Sequence, residues 1–481
     1  MVSREHNKKI GKYYTPQNYV SLLTGLVLEY YFKENKLSKI TILDPSCGDA
    51  IFLADVINQL KSKRGTYYKN LKIEVTGFDI DKSALKKAKD RIENCADITN
   101  TAVRLVHGDI LIGSKPAGSK KFDIIIGNPP WVSLLGKHRQ NYYSKKKYDY
   151  ISNRYPISKY RPNLFEMFIW RSFELLKSGG YLAFVVPDRL FNNSQLEVLQ
   201  DYIFKKTKLK KLILNINFKK VISDNIMFIL QNKEPNIQSC IDISNIDGSF
   251  SKRINQNIIS KSAFNYKYLF LKNEYHSIID KMRNCVYSDR LDNLYKSGVG
   301  FIGIKDKITN TKMSDKQKKI VTGRDIVTNK ILNHRYFEFI PKNIAGGTSN
   351  ISKLSANPKI LLRKTGNRLV SAIDRHDYLP EQSLYFITSK KQELEDLLLL
   401  NRLLNTNLFN FYYLNYAVTN LNSTPHLKKK DIDAFPVLDV SLLPFSKTAA
   451  SLSEKQIYKF YGITDEEISI IDRFFREQTK S

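Results

Sequence analysis

Residues 40–60, ITILDPSCGDAIFLADVINQL, hold the transition on which the fold turns. ITILD (40–44) is a short apolar run rich in β-branched residues and predicts a buried strand. PSCGD (45–49) supplies turn formers, and from Ala50 to about Leu60 the apolar residues return at helical spacing. The rhythm repeats downstream. IEVTGFDID (73–81) predicts a second strand, SALKKAKDRIE (83–93) a helix and VRLVHGDI (103–110) a third strand. KFDIIIGNPPW (121–131) predicts a fourth strand that stops at Gly-Asn-Pro-Pro, because two consecutive prolines cannot continue a ladder. NLFEMFIWRSFELLKSGG (163–180) reads as a helix closed by a Gly-Gly C-cap. YLAFVVP (181–187), KKLILNI (210–216) and NIMFILQ (225–231) complete the set. The expected fold is α/β, with a mostly parallel sheet of seven strands.

Beyond Lys233 that rhythm gives way to short irregular strands, turns at SGVGFIG and AGGTSN, and a late helical stretch. A boundary is expected near 235–250, with a first domain over 1–240 and a mixed α+β second domain over 241–481. The chain length of 481 residues suits two large domains. Hydrophobic, charged and aromatic shares of 42%, 26% and 12% exclude disordered and fibrous classes. Lys and Arg number 77 against 47 Asp and Glu, a net charge of +30, so a polyanion such as nucleic acid is the first partner to consider. The four cysteines (Cys47, Cys95, Cys240, Cys285) show no C-x-x-C spacing, so no metal is expected and a reducing, cytoplasmic setting is. No signal-peptide-like or membrane-length apolar run occurs, and no membrane partner is expected. The segment KHRQNYYSKKKYDYISNRYPISKYR (137–161) is basic, rich in tyrosine and without clear period; it reads as a long functional loop suited to holding a nucleic-acid strand.

Ligands of parallel α/β sheets bind beyond the carboxyl ends of the strands. Asp44, Asp79 and Asp109 stand at three successive strand ends, and Gly48 permits close backbone approach. A carboxylate at the second strand end can accept hydrogen bonds from two ribose hydroxyls, so an adenosine-containing cofactor fits. Asn128-Pro129-Pro130-Trp131 carries the most specific chemistry. The Asn128 amide oxygen and the Pro129 carbonyl can share the two hydrogens of an exocyclic amine and turn its lone pair toward an electrophile. The Pro-Pro bend fixes both acceptors, and Trp131 offers a flat face for a base that has left its helix.

On these residues the chain resembles the N6-adenine-specific DNA methyltransferases of the gamma order, the TaqI-like enzymes that use S-adenosyl-L-methionine. GKYYTP supplies a threonine and proline, Thr15 and Pro16, upstream of the first strand. DPSCGDAIF (44–52) is similar to the family pattern D/E-P-x-x-G-x-G/P-x-F, with Asp49-Ala50 as a departure in a stretch often richer in glycine. The resemblance implies a Rossmann-like methyltransferase domain in which Thr15, Asp44, Gly48, Asp79, Asp109 and Ile110 bind the cofactor. It implies that Asn128, Pro129, Pro130 and Trp131 act in catalysis, with a second aromatic clamping the flipped adenine. Phe218, in NINFKKVISDNIMFIL (215–230), is the candidate for that clamp, with Ile222 as the competing alignment.

The second half resembles a TaqI-like target-recognition (specificity) domain in SGVGFIGIKDK (297–307), VTGRDI (321–326) and HLKKKDIDAFPV (426–437). With LLRKTGNR (361–368), these segments make Arg324, Arg363, Lys364 and Arg368 candidate DNA contacts. The expected activity is site-specific methylation of a flipped adenine in duplex DNA, as a solitary methylase or with a cognate restriction endonuclease as partner. A monomeric state suits an asymmetric target. A fused N-terminal nuclease is not expected, since little sequence precedes Thr15. Two other readings stand beside this one: transfer to another planar amine, in ribosomal RNA or a protein glutamine, and a DNA-binding specificity subunit whose methylase has decayed. The long basic second half weighs against the first, and the filled catalytic positions against the second.

Overall fold

A computed structural model describes residues 15–35, 38–64, 71–95, 100–112, 120–134, 143–156, 162–192, 194–218, 225–249, 251–257, 269, 271–391, 393–418, 425–444 and 451–478. The chain divides into two compact units, Met1–Phe270 and Leu271–Ser481.

The first unit is built on a nine-stranded sheet: β1 (Lys39–Asp44), β2 (Lys72–Asp79), β3 (Thr101–His107), β4 (Phe122–Gly127), β5 (Leu176–Pro187), β6 (Lys208–Ile216), β7 (Asn225–Gln231), β8 (Cys240–Asn245) and β9 (Ser251–Asn255). Their order is β3-β2-β1-β4-β5-β7-β6-β8-β9. Strands β1 to β5 run parallel, and β7 lies antiparallel between β5 and β6. The strand order reverses between β1 and β4, which leaves a crevice at their carboxyl ends.

The helices α1 (Gln17–Glu34), α2 (Ile51–Arg64), α3 (Lys82–Glu93), α4 (Lys145–Arg154), α5 (Leu164–Leu175) and α6 (Glu197–Lys206) accompany this sheet. Alternation along the strands sorts side chains between two cores. Ile124 and Ile126 pack with residues of α1 and α2, while Ile125 packs with residues of α5 and α6. Both faces are covered at the centre of the sheet, which is why β1, β4, β5 and β7 read as nearly continuous apolar runs.

Four expectations are corrected. The sheet has nine strands, because β8 and β9 continue it beyond the seven read from sequence, and the first compact unit ends at Phe270, later than the boundary expected near 240. The Gly-Gly pair caps no helix. α5 ends at Leu175 and the chain passes directly into β5, where Gly179 (φ 75°) and Gly180 exchange backbone hydrogen bonds with Asn232 at 2.8 Å. The register of β4 against β5 shifts at this point, so the glycines serve a bulge. Finally, the 137–161 segment contains a helix, α4, capped by Ser144. Tyr148, Ile151 and Tyr155, spaced three and four apart, turn toward the core from among the lysines. Residues 137–142 and 157–161 lie outside the described residues.

The second unit has a four-stranded antiparallel sheet made of β10 (Tyr295–Val299), β16 (Leu384–Ser389), β13 (Lys359–Arg363) and β14 (Ser371–Asp374), in that spatial order. A three-stranded sheet sets β11 (Gln317–Val321) between β12 (Arg335–Glu338) and β15 (Leu379–Pro380). Further helices include α7 (Asn273–Arg283), α8 (Leu394–Leu404) and α9 (Asp465–Gln478). This is the mixed α+β second domain expected.

Candidate cofactor and amine-binding site

Asp44 ends the strand at the switch point, Asp79 ends the strand beside it, and Asp109 follows the edge strand β3. Asp44, the last residue of β1, is buried, and its Oδ1 accepts the Ser46 amide at 3.0 Å. Burial pushes its carboxyl up to about 8, and the neighbouring Asp79 and Asp49 push in the same direction, against the Ser46 amide. Gly127, at the end of β4, makes room for this carboxylate: a Cβ there would lie 2.6 Å from Asp44 Oδ1. That close approach sets Asp44 directly beside the Asn-Pro-Pro-Trp turn.

Asp79, at the end of β2, accepts the Gly48 amide on Oδ2 and the Asp81 amide on Oδ1, each at 2.8 Å. Each carboxylate oxygen has a second lone pair, so Asp79 can still accept hydroxyl donors. Gly48 adopts φ 56°, and a Cβ built on it or on Gly108 meets no atom within 4 Å. The loops after β1 and β3 thus border open space. Asp109 sits partly buried after β3, its Oδ1 accepting the Leu111 amide at 3.0 Å, and Ile110 beside it is buried. Burial raises the Asp109 carboxyl, while the Leu111 amide, the Tyr143 hydroxyl and Lys147 oppose that rise. The last two come from the segment that begins α4.

The fit to a cationic, ribose-bearing cofactor is chemically direct. Asp79 and Asp109 stand by the open space at Gly48 and Gly108 and offer negative potential for a positive centre and acceptors for hydroxyls.

Around Asn128 the structure brings together residues from four parts of the chain. Its Nδ2 donates to Thr15 Oγ1 at 3.1 Å, and its backbone carbonyl accepts a long hydrogen bond from Ser46 Oγ at 3.5 Å. Thr15, expected at the cofactor, therefore touches the amide of the Asn-Pro-Pro-Trp turn. Trp131 meets Phe218 edge to face, with ring centroids 5.3 Å apart and planes at 80°. Tyr19 of α1 also meets Phe218 edge to face, at 6.1 Å, and donates its hydroxyl to the Asn217 carbonyl at 3.3 Å. Ile222, the competing alignment, lies outside the described residues.

Sequence reasoning missed a clamp on the glycine turn. Arg91 of α3 donates from Nε to the Asp49 carbonyl at 3.0 Å and from Nη2 to Asp49 Oδ2 at 2.6 Å. Ala50 next to it has φ 60°, a left-handed conformation that costs a non-glycine residue about 1–2 kcal/mol. The i, i+4 helical pattern marks Arg91 only as a solvent-facing position, so no local signal points to this role.

The four basic residues expected on DNA fare differently. Arg324 is exposed, in the turn Gly323–Asp325. Arg363 is turned inward: its Nη2 donates to the Ile326 carbonyl at 2.6 Å and its Nε to the Gly323 carbonyl. Asp325 tightens the same turn by accepting the Thr322 amide and hydroxyl at 2.9 and 2.6 Å. Arg363 thus builds the turn that presents Arg324. Lys364 is half-buried over the Tyr385 ring at 5.0 Å, and burial lowers its ammonium. Arg368 is exposed but lies over the Phe475 ring at 4.4 Å and donates to Asn407 Oδ1 at 3.1 Å. A further row was not read from sequence. Lys319 of β11 pairs with Tyr336 of β12, His334 Nε2 lies 3.2 Å from the Tyr336 hydroxyl, and His334 stacks on Tyr378 at 5.5 Å.

Among the described residues no group of three or more His, Cys, Asp or Glu side chains could hold a metal ion, and no helix is long and apolar enough to cross a membrane.

Comparison with known proteins agrees with this architecture. Residues 18–221 match the Eco57I restriction-modification methylase family, and residues 318–437 match the TaqI-like C-terminal specificity domain. The chain is 24% identical to the Type II methyltransferase M.VspI of Vibrio sp. (strain 343), over 55% of this chain and 59% of that protein. It is 29% identical to the Type II methyltransferase M.HincII of Haemophilus influenzae, over 50% of this chain and 41% of that protein. The chain thus spans about half the length of the curated relatives it matches. Among solved structures, the Type IIL restriction-modification enzyme MmeI, determined in complex with DNA, superposes with a TM-score of 0.57 at 12% identity, covering 96% of this chain and 76% of that one. At that identity the likeness is one of fold. The chain therefore carries an Eco57I restriction-modification methylase domain followed by a TaqI-like C-terminal specificity domain.

Proposed function

We propose that this protein is a site-specific DNA methyltransferase that transfers a methyl group from S-adenosyl-L-methionine to N6 of an adenine flipped out of duplex DNA. The observation that carries the reading is the convergence of Asn128, Pro129, Pro130 and Trp131 with Thr15 and Phe218 beside the strand-end carboxyl of Asp44. When bound, the cofactor supplies an electrophilic methyl group on a cationic sulfonium. Asp79 is assigned to its ribose hydroxyls, Asp109 and Ile110 to its adenine side, and Asp44 and Gly48 to the closed turn beneath it.

The chain's own contribution to transfer is positional. Thr15 takes the Asn128 Nδ2 donor, which orients the amide so that its oxygen can accept one amine hydrogen. The Pro129 carbonyl accepts the other. With both hydrogens held, the nitrogen lone pair leaves conjugation with the ring and faces the methyl donor, so no basic side chain has to remove a proton before attack. As the N–CH3 bond forms the donor's S–CH3 bond would break, and the cationic nitrogen would then lose one of its two hydrogens as a proton to water. Trp131 and Phe218 are assigned to the two faces of the extruded base, which requires their edge-to-face contact to open.

The relatives named Type II methyltransferases and the +30 charge support DNA as the substrate. In the second unit, Arg324 on its braced turn and the Lys319–Tyr336–His334–Tyr378 row are assigned to DNA contact. A cognate endonuclease and monomeric action complete the proposal. The experiment is incubation of the chain with S-adenosyl-L-methionine and duplex DNA, followed by mass spectrometry of the released nucleosides. N6-methyladenine is expected. Methylcytosine alone, or no methylated nucleoside, would contradict the assignment.

A further inference from the structure

We propose that Arg91 is a positioning residue for the cofactor, acting by clamping the turn between β1 and α2 into a conformation that Ala50 would otherwise resist. The inference rests on the reading of this turn as the S-adenosyl-L-methionine site.

The turn uses two left-handed residues, Gly48 at φ 56° and Ala50 at φ 60°, separated by Asp49. Gly48 adopts this conformation without steric cost; Ala50, buried against the core, does not. The Asp49 carbonyl belongs to the peptide plane that joins residues 49 and 50. A donor fixed on that oxygen therefore constrains φ of Ala50 directly. Arg91 Nε supplies it at 3.0 Å, and Nη2 grips the Asp49 carboxylate at 2.6 Å. Two rigidly related donors on one guanidinium hold both the backbone and the side chain of one residue, a fixed spacing that a lysine ammonium, with all its donors on one atom of a flexible stem, does not reproduce.

The clamp also adds a side-chain tie between the turn and one βα unit, beyond the Cys47 amide that donates to the Phe78 carbonyl of β2 at 2.8 Å. Gly48 donates its amide to Asp79 at the end of β2, and Asp49 is held by Arg91 on α3, the helix that follows β2. Release of Arg91 would leave the Gly48 to Asp79 bond as the tie between that turn and the ribose carboxylate. The Asp49 charge, which bears on Asp44, would also lose its counter-ion. The expected consequence is poorer cofactor binding with chemistry intact once the site is filled.

The test uses the full chain and S-adenosylhomocysteine as the calorimetric probe, together with methyl-transfer kinetics. Arg91→Ala should raise the dissociation constant and the KM for S-adenosyl-L-methionine about tenfold, the effect of losing one charge-assisted hydrogen bond, with kcat at saturating cofactor within about twofold of wild type. Arg91→Lys should behave like Arg91→Ala. The double variant Arg91→Ala, Ala50→Gly should recover most of the affinity, because glycine needs no clamp at φ 60°. Should Arg91→Ala fail to fold by circular dichroism, Asp49→Asn, which keeps the backbone grip and weakens the ion pair, is expected to give a smaller loss of the same kind. A lowered melting temperature with unchanged affinity would overturn the proposal, as would affinity lost but not restored by glycine. A wild-type chain that binds no S-adenosylhomocysteine contradicts the cofactor reading itself, an outcome distinct from equal binding by wild type and variant.

Discussion

Asn128 and Thr15, 113 residues apart, are joined by a hydrogen bond of 3.1 Å from the Asn128 amide nitrogen to the threonine hydroxyl. With the amide nitrogen turned to Thr15, Oδ1 is the end left to accept a substrate hydrogen. Thr15→Val should lower kcat about fivefold, the value of one neutral hydrogen bond, while cofactor affinity stays unchanged by calorimetry. Asn128→Ala should lower kcat by at least about a hundredfold with cofactor binding retained. Equal loss of cofactor binding in Thr15→Val would return Thr15 to the cofactor role the family resemblance implies.

Trp131 and Phe218 stand at 5.3 Å and 80°, and under the proposed assignment they part to admit a base. Base–aromatic stacking contributes roughly 1–3 kcal/mol by alanine substitution. Phe218→Ala should therefore weaken capture of a flipped base, read as a smaller fluorescence rise from 2-aminopurine at the target position, with duplex affinity little changed. Full fluorescence enhancement in Phe218→Ala would assign the second face to another residue.

The Asp44 carboxyl is pushed up to about 8 in the folded chain, well above its ordinary value. Between those two values the folded state holds a proton that the unfolded state has released, so the Asp44 contribution to stability falls as pH rises through that window. A cationic cofactor favours the ionised carboxylate. Binding of S-adenosyl-L-methionine should accordingly strengthen from pH 6 toward 8 and level off above, releasing a proton as it does. Calorimetry in buffers of different ionisation enthalpy measures that proton, and Asp44→Asn should abolish its release.

Arg324 and Arg363 predict different phenotypes although they lie in neighbouring basic motifs. Arg324→Ala should reduce the salt slope of DNA binding by about one, as expected for a lost phosphate contact, with the melting temperature unchanged. Arg363→Met removes the donors to the Gly323 and Ile326 carbonyls inside the domain and should lower the melting temperature as well. A stable Arg363→Met with reduced salt slope would make Arg363 a direct contact after all.

Much of this arrangement was legible because strand ends announce themselves. Asp44, Asp79 and Asp109 follow apolar runs and precede turns, and the Asn-Pro-Pro-Trp segment interrupts Ile124–Ile126 abruptly. The strands β8 and β9 were harder to read. Their alternation of buried and exposed residues is short, and they lie beyond the βαβ rhythm that frames the others. Helix α4 was masked by its lysines, since the stripe of Tyr148, Ile151 and Tyr155 is carried by only three residues. Side-chain partnerships across long separations had no local signal at all. Arg91 on Asp49 and Arg363 on the Gly323 turn look, in sequence, like any exposed cation.

The central claim is tested most directly in a host that lacks adenine methylation, expressing the wild-type chain or Asn128→Ala, with single-molecule sequencing of its DNA. The account predicts N6-methyladenine confined to one sequence motif with the wild-type chain and absent with the variant. A genome unmodified at adenine, from cells holding folded protein that binds S-adenosyl-L-methionine, would contradict it.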